Sequence, residues 1–395
     1  MKKKTIRFIS MLMVLVMAFG LMACGGGNPV SSEAESTAEA AEDTGKGLKI
    51  CIITTSGVDD GSFNENCYDG IKAFSADHPD CTVTDVKEAD LSKVIETVGA
   101  LVGDYDVMLL PGFNFARVAE IAQANTDKYF IVVDSTVSDQ EGNEVKGLPN
   151  VYTMTFMEQE SGFFAGLAAA LSTETGKVAV VNGIAFPSNV NYEFGFMAGV
   201  NYANAKFGTS AEYVEIPSYA GEAAVPVEAG GIGTAVGGNY IGDFADQAKG
   251  KEVAEALINA GVDVIFPAAG TAGNGCFTAL KEKGGYAIGC DVDQYDDGVN
   301  GDSNIILTSV LKVMDINITK QLNAIYDGTF TGADDTLGAS SDPAGTGFVS
   351  AEGRQQLSAD AIEKMNQAYE DLKAGKIVPP SNFNGFTPTD FPGLN

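Results

Sequence analysis

The sequence predicts an α/β fold of two lobes, each a doubly wound parallel sheet. Three observations predict it. Short apolar runs rich in β-branched and aromatic residues recur along the chain, and most end in Gly, Pro, Asp or Ser, as buried parallel strands do. Segments with helical apolar spacing separate them, and repeated β-α units imply parallel sheets with right-handed crossovers. Nine such strands suggest two lobes rather than one, and 395 residues allow two.

The chain opens with a targeting segment. Lys2, Lys3, Lys4 and Arg7 precede an apolar run from Phe8 to Phe19, followed by Leu21-Met22-Ala23-Cys24. This charged, apolar, then small-residue order is that of a secretory signal over residues 1–23. The run falls short of the roughly 20 apolar residues a membrane-spanning helix needs. Leu-x-Ala-Cys followed by glycine resembles a bacterial lipobox, which makes Cys24 the lipidated first residue of the mature chain. Such an anchor holds by burying acyl CH₂ groups, about 0.8 kcal/mol each. Residues 25–47 are rich in Gly, Ser, Ala and Glu without apolar periodicity. Residues 24–47 are therefore expected as lipidated Cys24 and a flexible acidic tether, which keeps a folded body close to the extracytoplasmic face of the cell membrane.

The body begins at Leu48. Strands are expected at 48–54, 106–110, 129–134, 151–156, 177–182, 212–216, 262–267, 286–291 and 304–309. Helices are expected at 66–77, 91–102, 115–125, 160–172, 190–206, 246–260, 274–284, 312–327 and 354–374. In 160–172, apolar and small residues cover most of the circumference, which predicts a helix packed closely on a sheet. The chain should leave the first lobe near 153–158, with return crossings near 309–312 and 328–336. This divides it into an N-terminal lobe of 48–155 plus 311–328 and a C-terminal lobe of 156–310 plus 329–395. The Gly- and Ala-rich stretch 220–242 fits neither period and reads as an irregular insertion.

Composition narrows the function. Lys+Arg is 24 against Asp+Glu 53, a net charge of −29, which becomes −33 once the four basic residues of the signal are removed. Nucleic-acid binding needs a basic surface and is disfavoured. His78 is the one histidine, which excludes a two-His metal site and forces any Ser/His or Cys/His pair to use it; it precedes Pro79 at a helix end and is expected exposed. The six cysteines contain no C-x-x-C, and no disulfide framework is expected. The run Asp291-x-Asp293-x-x-Asp296-Asp297-Gly298 fails the register of a calcium loop. No G-x-x-x-x-G-K-[ST] or G-x-S-x-G occurs, and no cofactor is implied.

In open α/β sheets, ligands sit beyond the carboxyl ends of the strands. The residues placed there are Ser56 to Asn64, Gly112-Phe113-Asn114, Asp134-Ser135, Gly183 to Tyr192, Ala268 to Thr271, and Asp291-Val292-Asp293. Polar acceptors and aromatics converge without a nucleophile–base pair. That predicts a binding cleft for a neutral, flat, hydroxyl-bearing molecule, since carboxylates accept from vicinal hydroxyls and rings stack on a planar face. Lys312 opens an expected helix, where a cation meets the unfavourable end of the dipole; a ligand or a carboxylate partner would explain it.

Asp59-Asp60-Gly61-Ser62-Phe63-Asn64 with Tyr68-Asp69-Gly70 resembles the N-D-K-S-F-N…G signature of the basic membrane protein (BMP) family of PnrA-like nucleoside-binding lipoproteins. Further matches follow in order: Thr155-Phe156 with Glu160 to Gly166, Gly195 to Val200, Gly250-Lys251-Glu252, Gly261 to Phe266, Ala268-Ala269-Gly270, Ile288 to Gln294, and Leu307 to Lys312. The ordered set, from about 48 to 350, is specific where each piece is weak.

The resemblance implies a type I periplasmic-binding-protein fold, two lobes joined by a three-strand hinge. It implies a monomer that captures purine nucleosides and delivers them to the permease of an ABC importer, with no catalysis. It implies a base stacked between Phe63 and a second aromatic, Tyr192 or Phe194. Asp60 and Asn64 would address the base edge, Asp134, Asp291 and Lys312 would hold the ribose, and Gly270 would allow close backbone approach. Asp60 and Asn64 are also common turn and cap residues. The chain departs from the family at Gly61, where Lys is usual, and in the length of 220–242. The alternatives are the same fold binding a sugar or other hydroxylated solute, an exported hydrolase using paired carboxylates, and a surface adhesin.

Overall fold

The computed structural model describes residues 47–221, 236–381 and 384–395. The expected signal, Cys24, almost all of the tether and the middle of the 220–242 insertion lie outside them. The first lobe is built from β1 (Lys49–Thr54), α1 (Phe63–Asp77), β2 (Thr82–Lys87), α2 (Val94–Leu101), β3 (Val107–Pro111), α3 (Ala119–Ala124), β4 (Tyr129–Val133) and β5 (Val151–Phe156). The second comprises α4 (Glu158–Ser172), β6 (Lys177–Asn182), α5 (Pro187–Phe207), β7 (Glu212–Tyr213), α6 (Gln247–Asn259), β8 (Val264–Ala268), α7 (Gly273–Lys283), β9 (Tyr286–Gly289), a small hairpin of β10 (Val299–Asn300) and β11 (Ser303–Asn304), and β12 (Ile306–Lys312). The chain then returns to the first lobe with α8 (Asp315–Tyr326) and β13 (Ala333–Leu337), and ends in the second with β14 (Thr346–Phe348) and α9 (Ala359–Lys373).

The two six-stranded sheets have matching orders, β13-β5-β4-β3-β1-β2 and β14-β12-β9-β8-β6-β7. Every pairing is parallel except β14 against β12. Strand alternation explains why both faces are covered. Ile50, Ile52, Val107 and Leu109 face one cluster, with α1 and α8 residues. Cys51, Ile53, Met108 and Leu110 face another, with α2 and α3 residues. In the second lobe Val178, Val180 and Phe266 turn toward α4, α5 and α9, while Ala179, Val181 and Ile265 turn toward α6 and α7.

Three crossings join the lobes, after β5, after β12 and after β13. The last differs from expectation. Residues 333–337 pair with β5 in register Ala333 to Tyr152 through Leu337 to Phe156, so they belong to the first lobe rather than to 329–395 of the second. Ala-Asp-Asp-Thr carries no apolar run, because four of the five residues of this edge strand face solvent. β2 was missed for the same reason. His78 is not exposed at a helix end: its ring packs 4.4 Å from Phe74 and 4.0 Å from Tyr326, with Nε2 2.9 Å from Asn323 Oδ1.

The expected helix at 160–172 packs on the second sheet, against β12 and β14, and more extensively on α5. A Cβ at Gly162 would lie 2.3 Å from the Tyr192 carbonyl oxygen, and one at Gly195 2.2 Å from that of Gln159. Glycine at these points lets the two backbones touch. The contact sets the first turn of α4, with Glu158 and Glu160, against the part of α5 that carries Tyr192.

Candidate ligand-binding site

The carboxyl ends of β1, β3 and β4 face those of β8, β9 and β12 across a shared cleft lined by residues of both lobes. Asp60, Phe63, Asn64, Asp134, Tyr192, Gly270, Asp291 and Lys312, the eight residues singled out from sequence, all line it.

From the first lobe, the turn after β1 brings Asp60 to the start of α1. Its carboxylate accepts the backbone N–H of Ser62, Asn64 and Glu65, each at 3.0 Å, so it caps that helix from two residues before the usual position. Burial raises its pKa, and the three N–H donors pull it back. The cap role weighed from sequence is therefore present, and the same group faces the cleft. Asn64 donates to Ser56 Oγ at 2.8 Å. Phe63 is half-buried, with its ring 5.3 Å from the Lys312 ammonium.

Asp134 follows β4 and Asp291 follows β9, at equivalent places in the two sheets. They are the two non-glycine residues with positive φ among the described residues, +63° and +69°. Asp134 Oδ2 and Oδ1 accept from Lys312 Nζ at 2.6 and 2.8 Å. Asp291 accepts from the Tyr192 hydroxyl at 2.7 Å and from Ser62 Oγ at 3.2 Å, the latter across the cleft.

Lys312 does not start a helix. It is the last residue of β12, and α8 begins three residues later. The carboxylate partner that its placement called for is Asp134. Glu158 lies 3.3 Å from the same ammonium, and the rings of Phe63, Phe156 and Tyr192 surround it at 5.3–5.4 Å. Burial pulls the lysine pKa down, but Asp134, Glu158 and Asp291 outweigh it and hold the ammonium charged. Burial pushes Asp134 above the ordinary carboxylate range; Lys312 opposes this and Glu158 adds to it. Two close acids sharing one buried cation leave the group rich in negative charge.

Gly270, φ +51°, sits where a Cβ would lie 3.5 Å from the Phe244 carbonyl oxygen and 3.9 Å from Asp60 Oδ2. Tyr192 is 3% exposed, edge-packed on Phe266 at 5.5 Å, with its hydroxyl spent on Asp291. It is a floor residue rather than an open stacking face. Phe194 packs with Ala185, Val190 and Tyr240, away from the cleft lining. The aromatic faces left partly open in the cleft are Phe63, Phe113 and Phe244, with buried Phe186 between the last two at 5.7 and 5.8 Å.

Sequence reasoning missed Phe244 and Glu158, and gave Ser62 and Gln294, both within stretches it had singled out, no role of their own. Phe244 follows an aperiodic stretch, yet Asp246 caps α6 by accepting from Lys249 N at 2.9 Å. That cap signal, read before the A-K-G-K-E helix, would have placed Phe244 at the ligand end of the sheet. Gln294 Nε2 donates to the Gly61 carbonyl at 3.0 Å, a further contact between lobes. Asp293 and Asp296 are occupied by Arg354, at 2.7 and 3.0 Å. Among the described residues no cluster of three acidic, Cys or His side chains is arranged to hold a metal ion.

Two parallel-sheet lobes, three crossings and a cleft walled by strand ends define the periplasmic-binding-protein fold. An ABC-transporter solute-binding protein from Aeropyrum pernix superposes with a TM-score of 0.69 at 21% identity, over 85% of this chain and 95% of that one. The chain belongs to the Bmp family, described as ABC transporter substrate-binding protein PnrA-like, whose profile matches residues 48–218 and 233–377. It is 27% identical to the CD4+ T-cell-stimulating antigen of Listeria innocua over 96% of this chain and 99% of that protein. It is also 27% identical to the ABC transporter nucleoside-binding protein BmpA of Lactococcus lactis, over 85% of this chain and 89% of that one. The protein is thus a substrate-binding component of an ABC transporter family.

Proposed function

We propose that this protein captures purine nucleosides between its lobes and hands them unchanged to an ABC permease, tethered to the outer face of the membrane through lipidated Cys24. One observation carries the reading. A single cleft combines half-open aromatic faces with two acids held at equivalent strand ends and one buried lysine. Phe63 and Phe244 supply the stacking faces for a base. Asp134 and Asp291 accept from the vicinal hydroxyls of a ribose, and Asp60 and Asn64 address the base edge. Three aspartates against one lysine disfavour a phosphate, so the ligand is the nucleoside and not the nucleotide. The name of the Lactococcus lactis relative supports the same class.

Contacts from both lobes are what drive closure. Mass spectrometry of small molecules released from purified protein, followed by thermal-shift screening, tests the reading. Binding raises apparent stability by RT ln(1 + [L]/Kd). Inosine, guanosine or adenosine should raise the melting temperature. A response to pentoses or hexoses alone would replace nucleosides with a sugar ligand.

A further inference from the structure

The cleft carries a single cation among its described lining residues, and its position is over-determined. A lysine ammonium has three N–H donors and no acceptor. Lys312 Nζ lies 2.6 and 2.8 Å from the two carboxylate oxygens of Asp134, and its backbone N–H is fixed on the Asp291 carbonyl at 2.9 Å. The remaining counter-charge is Glu158, 3.3 Å away. Glu158 is 3% exposed and does not line the cleft. It is the first residue of α4, just after the first crossing, and Lys312 is the last residue of β12, just before the second. Their pair therefore ties two hinge segments together behind the ligand space. Its other oxygen is held by Asn191 Nδ2 at 3.2 Å, from the same turn of α5 that carries Tyr192.

We propose that Glu158 is a positioning residue for ligand binding: from the hinge it holds the Lys312 ammonium against Asp134 without touching the ligand. The inference rests on the nucleoside reading for its binding readout only. The charged and titratable groups facing Asp134 are Lys312, Glu158, Asp291 and the Cys67 thiol. Glu158 is the acid among them that raises Asp134 most. Removing its charge must therefore lower the pH at which Asp134 takes up a proton.

Two measurements on the full chain test this, with Glu158→Gln as the isosteric variant and Glu158→Asp as the conservative one. The first is ¹³C carboxyl NMR of Asp134 in ligand-free protein. Its titration should move to lower pH in Glu158→Gln and return part of the way in Glu158→Asp. The second is calorimetry with inosine between pH 5 and 8. Above pH 7.5 affinity should fall about tenfold in Glu158→Gln, while the acid-side loss of binding moves to lower pH. An unmoved Asp134 titration overturns the proposal. So does weaker binding with an unshifted acid limb, the mark of a packing role. If the wild-type protein takes up no nucleoside, the functional reading fails, and the NMR titration still decides the role of Glu158.

Discussion

Asp134 and Asp291 occupy the same place in two sheets of the same strand order, one residue past β4 and two past β9, and share a left-handed backbone. They differ in what they hold. Asp134 faces a buried ammonium, whereas Asp291 accepts from two neutral hydroxyls, one of them Ser62 from the opposite lobe. Equivalent topology delivers the carboxylates to the cleft. The partners set the chemistry: the first lobe's acid forms a charge pair with Lys312 of the second lobe, and the second lobe's acid accepts from Tyr192 beside it and from Ser62 across the cleft.

The sharpest break in this comparison is at Lys312. Lys312→Met would leave Asp134 and Glu158 buried without a cation and should cost about 3–5 kcal/mol of stability at pH 8, read by chemical denaturation. A loss under 1 kcal/mol would show that the charge pair is not what organises the first lobe's acid. Next come the aspartates themselves. Asp134→Asn should destabilise by about 2 kcal/mol, because Lys312 keeps only Glu158, while Asp291→Asn should cost about 1 kcal/mol or less, because the amide oxygen still accepts from Tyr192. Equal losses would erase the distinction.

The pH response sharpens it further. Each lobe buries an acid raised above its ordinary range: Asp134 in the first, and in the second Glu193, pushed up to about 7 by burial with its Tyr240 hydrogen bond at 2.6 Å opposing. A carboxyl raised on folding contributes stability that is complete below its unfolded pKa and lost as pH rises through the folded one. Ligand-free stability should therefore decline between about pH 4.5 and 7, the reverse of an exposed salt-bridged acid. Glu193→Gln, which keeps an acceptor for Tyr240, should remove up to about 3 kcal/mol of that slope in pH-dependent melts. An unchanged slope would contradict the assignment. The smallest effect is expected at the closing contact. Ser62→Ala removes one cross-lobe hydrogen bond, about 0.5–1.5 kcal/mol, and should shorten ligand residence by no more than about tenfold.

Much of this was legible before any coordinates. The buried strands announce themselves because parallel strands covered on both faces must be apolar throughout, and Asp134, Asp291 and Lys312 fall at their ends by that rule alone. β2 and β13 were illegible because solvent-facing edges need no apolar run, and the mistaken lobe boundary at 329 follows from that. Tyr192 was placed in the right cleft but in the wrong posture. Spacing reveals that a ring is near, not whether its face is covered by Phe266. Glu158 was passed over because the expected helix began at 160, which left this residue in the crossing segment rather than in the first turn of α4.

Isothermal calorimetry of ligand-stripped protein with inosine, with chromatography of the recovered ligand, tests the central claim most directly. The account predicts one site of micromolar or tighter affinity and inosine returned intact. Absence of binding to any nucleoside, or recovery of free hypoxanthine and ribose, would contradict it.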